Sequence, residues 1–138
     1  LPPERRRLVL DEDINWKLML ELRQRGFRDA TSNMDLGLLG LKDGQVIKRL
    51  ASDYEPCVLV AWDNKLPDSH RQVLRHFGLT VAVIDKRKGR DGLTPAERLG
   101  LTDEEYYRTV IHRHAHQMVE QSQGSIYGYR PGNRWPVG

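Results

Sequence analysis

The sequence predicts an α/β fold: a central, mostly parallel sheet with helices on both faces. Three observations lead there. The runs Leu8–Leu10, Cys57–Ala61 and Leu79–Ile84 are apolar throughout rather than alternating, as strands buried on both faces are. Between them lie segments whose apolar residues recur at helical spacing. Each run is closed by an acid, Asp11, Asp63 or Asp85, so the three strands end alike. The chain has 138 residues, the size of one domain. It divides into an α/β core over 1–85, a basic loop with C-terminal helices over 86–121, and a tail over 122–138.

Leu8–Leu10 reads as a buried strand that stops at Asp11-Glu12-Asp13. Ile14, Leu18 and Leu22, with Met19 beside them, form a helix stripe that Gly26 terminates. A short strand is expected within Phe27–Thr31, and Met34–Gly44, holding Gly37, Gly40 and Gly44, reads as a loop. Val46, Ile47 and Leu50 give a second helix face that ends before Pro56. After the Cys57–Ala61 strand, Asp68 or Ser69 is expected to cap a helix carrying Val73, Leu74 and Phe77, closed by Gly78. Leu79–Ile84 is the next strand. Thr94-Pro95-Ala96-Glu97 and Thr102-Asp103-Glu104-Glu105 are capping boxes, the second opening a long helix with Tyr107, Val110, Ile111, His114, Met118 and Val119 along one side. From Ser122 the chain is Gly-rich without a period and reads as a tail that packs on its own domain or on a partner.

Composition narrows the function classes. No apolar run approaches the roughly 18–20 residues that cross a bilayer, and none near the start resembles a signal peptide, so no membrane partner is expected. The lone Cys57 fits a reducing compartment and a cytoplasmic location, and its place inside a strand makes it a core residue rather than a nucleophile. Residues 1–85 carry 13 Lys/Arg and 13 Asp/Glu, whereas residues 86–138 carry 9 and 6, so the whole excess of +3 lies after Asp85. That sum is too small to predict nucleic-acid binding, and the placement of charges matters more.

In a parallel sheet the C-terminal ends of the strands share one edge, and ligand sites form there. Asp11, Asp63 and Asp85 should therefore gather on one rim. Clustered carboxylates repel, and a divalent cation or raised pKa values relieve the repulsion. Oxygen donors favour Mg²⁺ or Mn²⁺, which activate water and neutralise charge during attack on a phosphodiester. The plain alternative is that Asp suits turns and helix caps wherever strands meet loops.

These residues resemble a family. An apolar strand ending Asp11-Glu12-Asp13, an amphipathic helix, Arg25-Gly26-Phe27, Asp35-Leu36-Gly37-Leu38, Lys42-Asp43 opening a helix, and Val58-Leu59-Val60-Ala61-Trp62-Asp63 follow in the order of the PIN-like ribonucleases. The match is to the small branch found as toxins of bacterial toxin–antitoxin pairs, and it covers about residues 8–85. The resemblance implies a PIN-like three-layer sandwich and a metal-dependent endoribonuclease. It also implies Mg²⁺ or Mn²⁺ as cofactor, RNA as substrate, an antitoxin protein as partner and a possible homodimer. By position, Asp11, Asp43 and Asp63 would be the catalytic metal ligands, with Asp13 in the same shell; Asp85 joins them from the strand-end argument. Asp43 can also be read as the cap of the Val46–Leu50 helix. The chain departs from the family pattern at Ala61 and Trp62, which replace Thr and Arg, and at Lys65, where many relatives have an acid.

Lys65 and the run Lys86, Arg87, Lys88 and Arg90 are candidates for holding the RNA backbone, whose phosphates attract Lys and Arg without sequence preference. A solvated loop is the plain reading of that run. His112 and His116 share a helix face but lack a motif that would make them metal ligands, and a surface or interface role suits them better. Tyr127, Tyr129, Arg130, Arg134 and Trp135 mix aromatics with Arg, as single-strand binders do, or serve packing and partner contact. Two rival readings complete the set. One is a PIN-like fold used only for binding. The other is an Asp-x-Asp phosphatase on Asp11 and Asp13, which would need a hydroxyl where Ala61 stands.

Overall fold

The apolar runs become strands at the expected places. A computed structural model of the chain describes residues 5–62 and 64–137. β1 (Arg7–Leu10), β3 (Cys57–Ala61) and β4 (Thr80–Ile84) lie side by side in parallel, and every residue of β3 and β4 is buried. The short strand expected near Phe27–Thr31 is β2 (Thr31–Ser32), paired in parallel to Val9 and Leu10. No helix among the described residues is long and apolar enough to cross a membrane.

Side-chain alternation sorts the core into two halves. Leu8, Leu10, Val58, Val60, Ala82 and Ile84 face α1 (Lys17–Gln24), α5 (Pro95–Leu99) and α6 (Asp103–Val119). Val9, Leu59, Val81 and Val83 face α2 (Asp43–Asp53), α3 (Lys65–Ser69) and α4 (Arg71–Phe77). The result is helix–sheet–helix, a three-layer α/β sandwich. Both capping boxes form as their residues predict: Thr94 and Thr102 hydroxyls accept from the Glu97 and Glu105 amides at 3.1 Å, and each Glu returns the bond.

Three local expectations are corrected. Asp68 and Ser69 do not cap a helix; they lie inside α3, whose Pro67 is tolerated because first-turn N–H groups have no partner within the helix. The cap of α2 is Lys42, whose amide donates to Gln45 Oε1 at 3.1 Å, and Asp43 is the first helical residue. The segment from Ser122 is not a detached arm. It returns as β5 (Ile126–Arg130), parallel to β4, and β6 (Asn133–Pro136), antiparallel to β5. Trp135 lies across Gly128, where an added Cβ would meet its ring at 2.6 Å, so the glycine makes room for the indole.

The sheet order is β2-β1-β3-β4-β5-β6. The chain moves one way from β1 to β2 and the other way from β3 onward. The β3–β4 and β4–β5 connections both step in that second direction, but the first runs over the α4 face and the second over the α6 face. The β4–β5 crossover therefore has the opposite hand to the β3–β4 crossover, a rare arrangement in parallel sheets. It is fastened at its far end, where the buried Arg6 guanidinium donates to Gln121 O at 2.9 Å and to Gln123 Oε1 and Glu55 Oε2 at 2.8 Å.

Candidate active site

Because β2 and β3 flank β1 on opposite sides, the chain reverses direction at the C-terminal end of β1, where doubly wound sheets open a crevice. Asp11 sits there. Its amide donates to Val60 O at 3.0 Å, which continues the β1–β3 ladder by one residue. Its Oδ1 accepts from the Glu12 amide and from Asn33 Nδ2, both at 2.9 Å. Asn33 follows β2 and is held by its own amide on Leu10 O at 2.9 Å, so both neighbours of β1 position this one carboxylate.

Burial pushes Asp11 up to about 6, against the pull of the Glu12 amide, and the charges of Asp13, Asp43 and Glu12 push it in the same direction as burial. Asn33 is 2% exposed, and its Oδ1 is buried without a hydrogen-bond partner. A half-buried carboxylate with a raised pKa among other acids, beside an unsatisfied buried amide oxygen, costs stability, and such arrangements cluster at functional sites.

Asp11, Glu12, Asp13, Asp43, Lys65 and His70 line a cavity of about 280 Å³. The three acids of the first loop, the start of α2 and the α3–α4 junction thus converge, although they are far apart in sequence. His70 Nε2 stands 3.4 Å from Asp43 Oδ2. Neither Asn33 nor His70 was legible as a site residue in the sequence: each lies in a loop or at a junction with no motif around it. Asp63 lies outside the described residues.

Asp85 does not join this cavity. It is fully buried at the end of β4, where Arg130 donates to Oδ2 from Nε at 2.7 Å and Arg87 donates to Oδ1 from Nε at 2.9 Å. Burial pushes its carboxyl up, but the hydrogen bonds from Arg130 and Arg87 outweigh burial and hold it below the ordinary range. Both oxygens are occupied by guanidinium groups, so the metal role expected for Asp85 gives way to that of a counter-ion joining β4 to β5.

The basic run divides. Lys86 stands over the Trp62 ring, 5.4 Å from its centroid, and its amide donates to Asn64 Oδ1 at 3.2 Å. Arg87 is tied to Asp85, while Lys88 and Arg90 are exposed. Trp62 is buried against Tyr106 and Tyr107.

The helix carrying the histidines is used within the chain. His112 meets Glu21 at 3.4 Å, His116 packs on Phe27, and buried His114 has Nε2 2.7 Å from Arg130 O. Tyr129 is buried and its hydroxyl donates to Gln121 Oε1, while Arg130 and Arg134 stack on Trp135 and Tyr127. Cys57 is a core residue whose thiol burial pushes up to about 12.

A scan against protein-family models finds no match, and searches of curated proteins and of solved structures find none. What the site can hold therefore rests on its own chemistry. Among the described residues no three His, Cys, Asp or Glu side chains stand together as a ready metal-ligand group. The cavity is nonetheless lined by carboxylates from Asp11, Glu12, Asp13 and Asp43, the donor type that a hard cation takes. By donor type alone those oxygens suit Mg²⁺ or Mn²⁺.

Proposed function

We propose that the chain is a PIN-like, metal-dependent endoribonuclease that hydrolyses phosphodiester bonds. On the resemblance of residues 8–85, we extend this to the toxin of a toxin–antitoxin pair, with the antitoxin protein as partner. The observation that supports the nuclease most directly is Asp11. It is half-buried at the reversal point of the sheet, gripped by Asn33, pushed to about 6, and shares a cavity with Asp13 and Asp43.

In this reading Asp11, Asp13 and Asp43 hold the cation, joined by Asp63 from the family pattern. A divalent cation bound there would supply water activation and neutralise charge building on the phosphate. The chain's own residues do the rest. Asn33 and the Glu12 amide fix the Asp11 carboxylate in one orientation through Oδ1. His70 Nε2, 3.4 Å from Asp43 Oδ2, steadies that carboxylate at the cavity wall. Lys65 in the cavity, with Lys86, Lys88 and Arg90 beyond it, attracts the sugar-phosphate backbone, and Arg87 serves mainly to neutralise Asp85.

A second reading has a specific observation behind it: the described acids do not form a ready ligand group, and Lys65 lines their cavity. That favours a PIN-like module that binds without cutting. The phosphatase reading weakens further, because Ala61 is fully buried and offers no hydroxyl at the end of β3.

Calorimetric titration of Mn²⁺ into the wild-type chain and Asp63→Asn, with cleavage of a mixed RNA pool on the same samples, separates the two. The nuclease predicts Mn²⁺ uptake and Mn²⁺-dependent cleavage in the wild type, both lost in Asp63→Asn and in Asp43→Asn. A wild type that takes up no Mn²⁺ is the binding module.

A further inference from the structure

A cleft of about 270 Å³ opens between α4 and the β5–β6 hairpin, and it shares no wall residue with the acidic cavity. Arg71 and Arg75 both line it, one helical turn apart on α4, so their guanidinium groups can close on one ligand. Pro67, Ile126, Pro136 and Val137 supply an apolar wall, and no acid lines the space. Elsewhere in the chain arginines are answered: Arg6, Arg87, Arg98 and Arg130 each have a carboxylate oxygen within 2.9 Å. Arg71 and Arg75 have no hydrogen bond, ion pair or ring contact among the described residues. Like charges at this spacing repel, and nothing described in the fold offsets the repulsion. The other arginine-lined cavity, at Arg5 and Arg28, has Asp29 in its wall and so carries its own counter-charge.

We propose that this cleft binds the phosphomonoester of a nucleoside, with the phosphate between Arg71 and Arg75 and the nucleoside against the apolar wall. The charge of the site selects the ligand. Near pH 7 a phosphomonoester carries about −1.5 to −2, which two guanidinium groups neutralise. A carboxylate or a phosphodiester carries a single charge and would leave one arginine unanswered. The planar forks of Arg also match phosphate oxygens two at a time. Inorganic phosphate alone would leave the apolar wall uncovered. A phosphopeptide would lack main-chain partners there, because the wall's own carbonyls are taken: Val137 donates to Ile126 O at 2.8 Å and Val81 to Ser125 O at 3.0 Å. The space is at the small end of ligand pockets, which suits one nucleotide. A free nucleoside monophosphate and the 5′-phosphorylated end of an RNA share this chemistry. The site stands whether or not the acidic cavity is a nuclease.

Calorimetric titration of AMP into the full chain tests this, with chelator present so that no cation occupies the acidic cavity. The wild type should bind AMP with a Kd of about 1 mM or tighter. Adenosine, and the dinucleotide ApA with its single phosphodiester, should bind at least roughly tenfold more weakly. Arg71→Gln and Arg75→Gln should each weaken AMP binding about tenfold, and the double variant should lose it. Both side chains are exposed, so the variants should unfold at the wild-type temperature. A 5′-phosphorylated oligoadenylate separates the two sources. Affinity equal to that of AMP upholds the site as one for an RNA end, and much weaker affinity upholds it as one for a free nucleotide. AMP binding no tighter than adenosine binding, or AMP binding unchanged in the double variant, would overturn the site. Phosphoserine binding as tightly as AMP would overturn the nucleoside part and assign the cleft to a phosphorylated protein.

Discussion

Asp11→Asn should abolish Mn²⁺-dependent cleavage while making the metal-free protein more stable at neutral pH. The two halves of that result have one cause. In the folded chain Asp11 rises from an ordinary 3.8 to about 6, because burial and the charges of Asp13, Asp43 and Glu12 disfavour the ionised form. A carboxyl raised by folding contributes stability that is full below its unfolded pKa and is lost as pH rises through about 6. Above that pH the ionised group costs the fold roughly 2–3 kcal/mol. Asparagine keeps an Oδ1 for the Glu12 amide and Asn33 but carries no charge, so most of that cost disappears. In chelator at about pH 8, thermal unfolding of Asp11→Asn should come roughly 5–10 °C above wild type, and near pH 4 the two should converge. A variant that is less stable than wild type at pH 8 would show that Asp11 is a structural acceptor rather than a strained acid.

Arg130→Ala should destabilise the fold markedly. It removes two guanidinium contacts, at 2.7 and 2.6 Å, from a carboxylate that is fully buried. Breaking a buried pair from one side costs about 3–5 kcal/mol, because the remaining charge has lost its compensation. That range is for pairs buried on both sides; the Arg130 side chain is 41% exposed and Arg87 still reaches Oδ1, so the expected loss lies below it, about 2 kcal/mol. The pH dependence has the opposite sign to that of Asp11. A carboxyl held low by its partners contributes stability above the ordinary carboxylate range, and that stability is lost as pH falls through its depressed folded value. Urea denaturation should therefore show a large gap between wild type and variant at pH 7 that narrows in acid. Mn²⁺ uptake by the folded variant should match wild type, since Asp85 belongs to the β4–β5 junction and not to the acidic cavity. Reduced uptake would return Asp85 to the metal shell.

The layers and the place of Asp11 at the end of β1 were readable in the sequence because they depend on local pattern. Runs such as Val58-Leu59-Val60 admit few alternatives to a strand buried on both faces, and the end of β1 then sets Asp11 at the crevice. The partners of Asp85 were not readable, because Arg130 lies 45 residues away and its pairing depends on β5 joining β4. Residues 122–138 read as a tail for the same reason: Ile126–Arg130 holds only two apolar neighbours in a row and two exposed-type aromatics, and burial of Tyr129 comes from α6 lying above it. Asn33 and His70 were hidden because they act through position alone. One is placed by a two-residue strand and the other by a break between short helices.

The reversed β4–β5 crossover has a consequence for the order in which the chain becomes whole. Synthesis proceeds from the N-terminus, and every residue of the acidic cavity lies before position 71. The β4 edge nevertheless stays open until residues 126–130 have been made, and the α6 face stays bare until residues 103–119 can pack. Only then can Arg6, made well before them, clasp Gln121 and Gln123. A nascent chain thus carries its acids and their immediate partners early, while one edge and one face of the sheet beneath them stay uncovered until the last third of the chain is made.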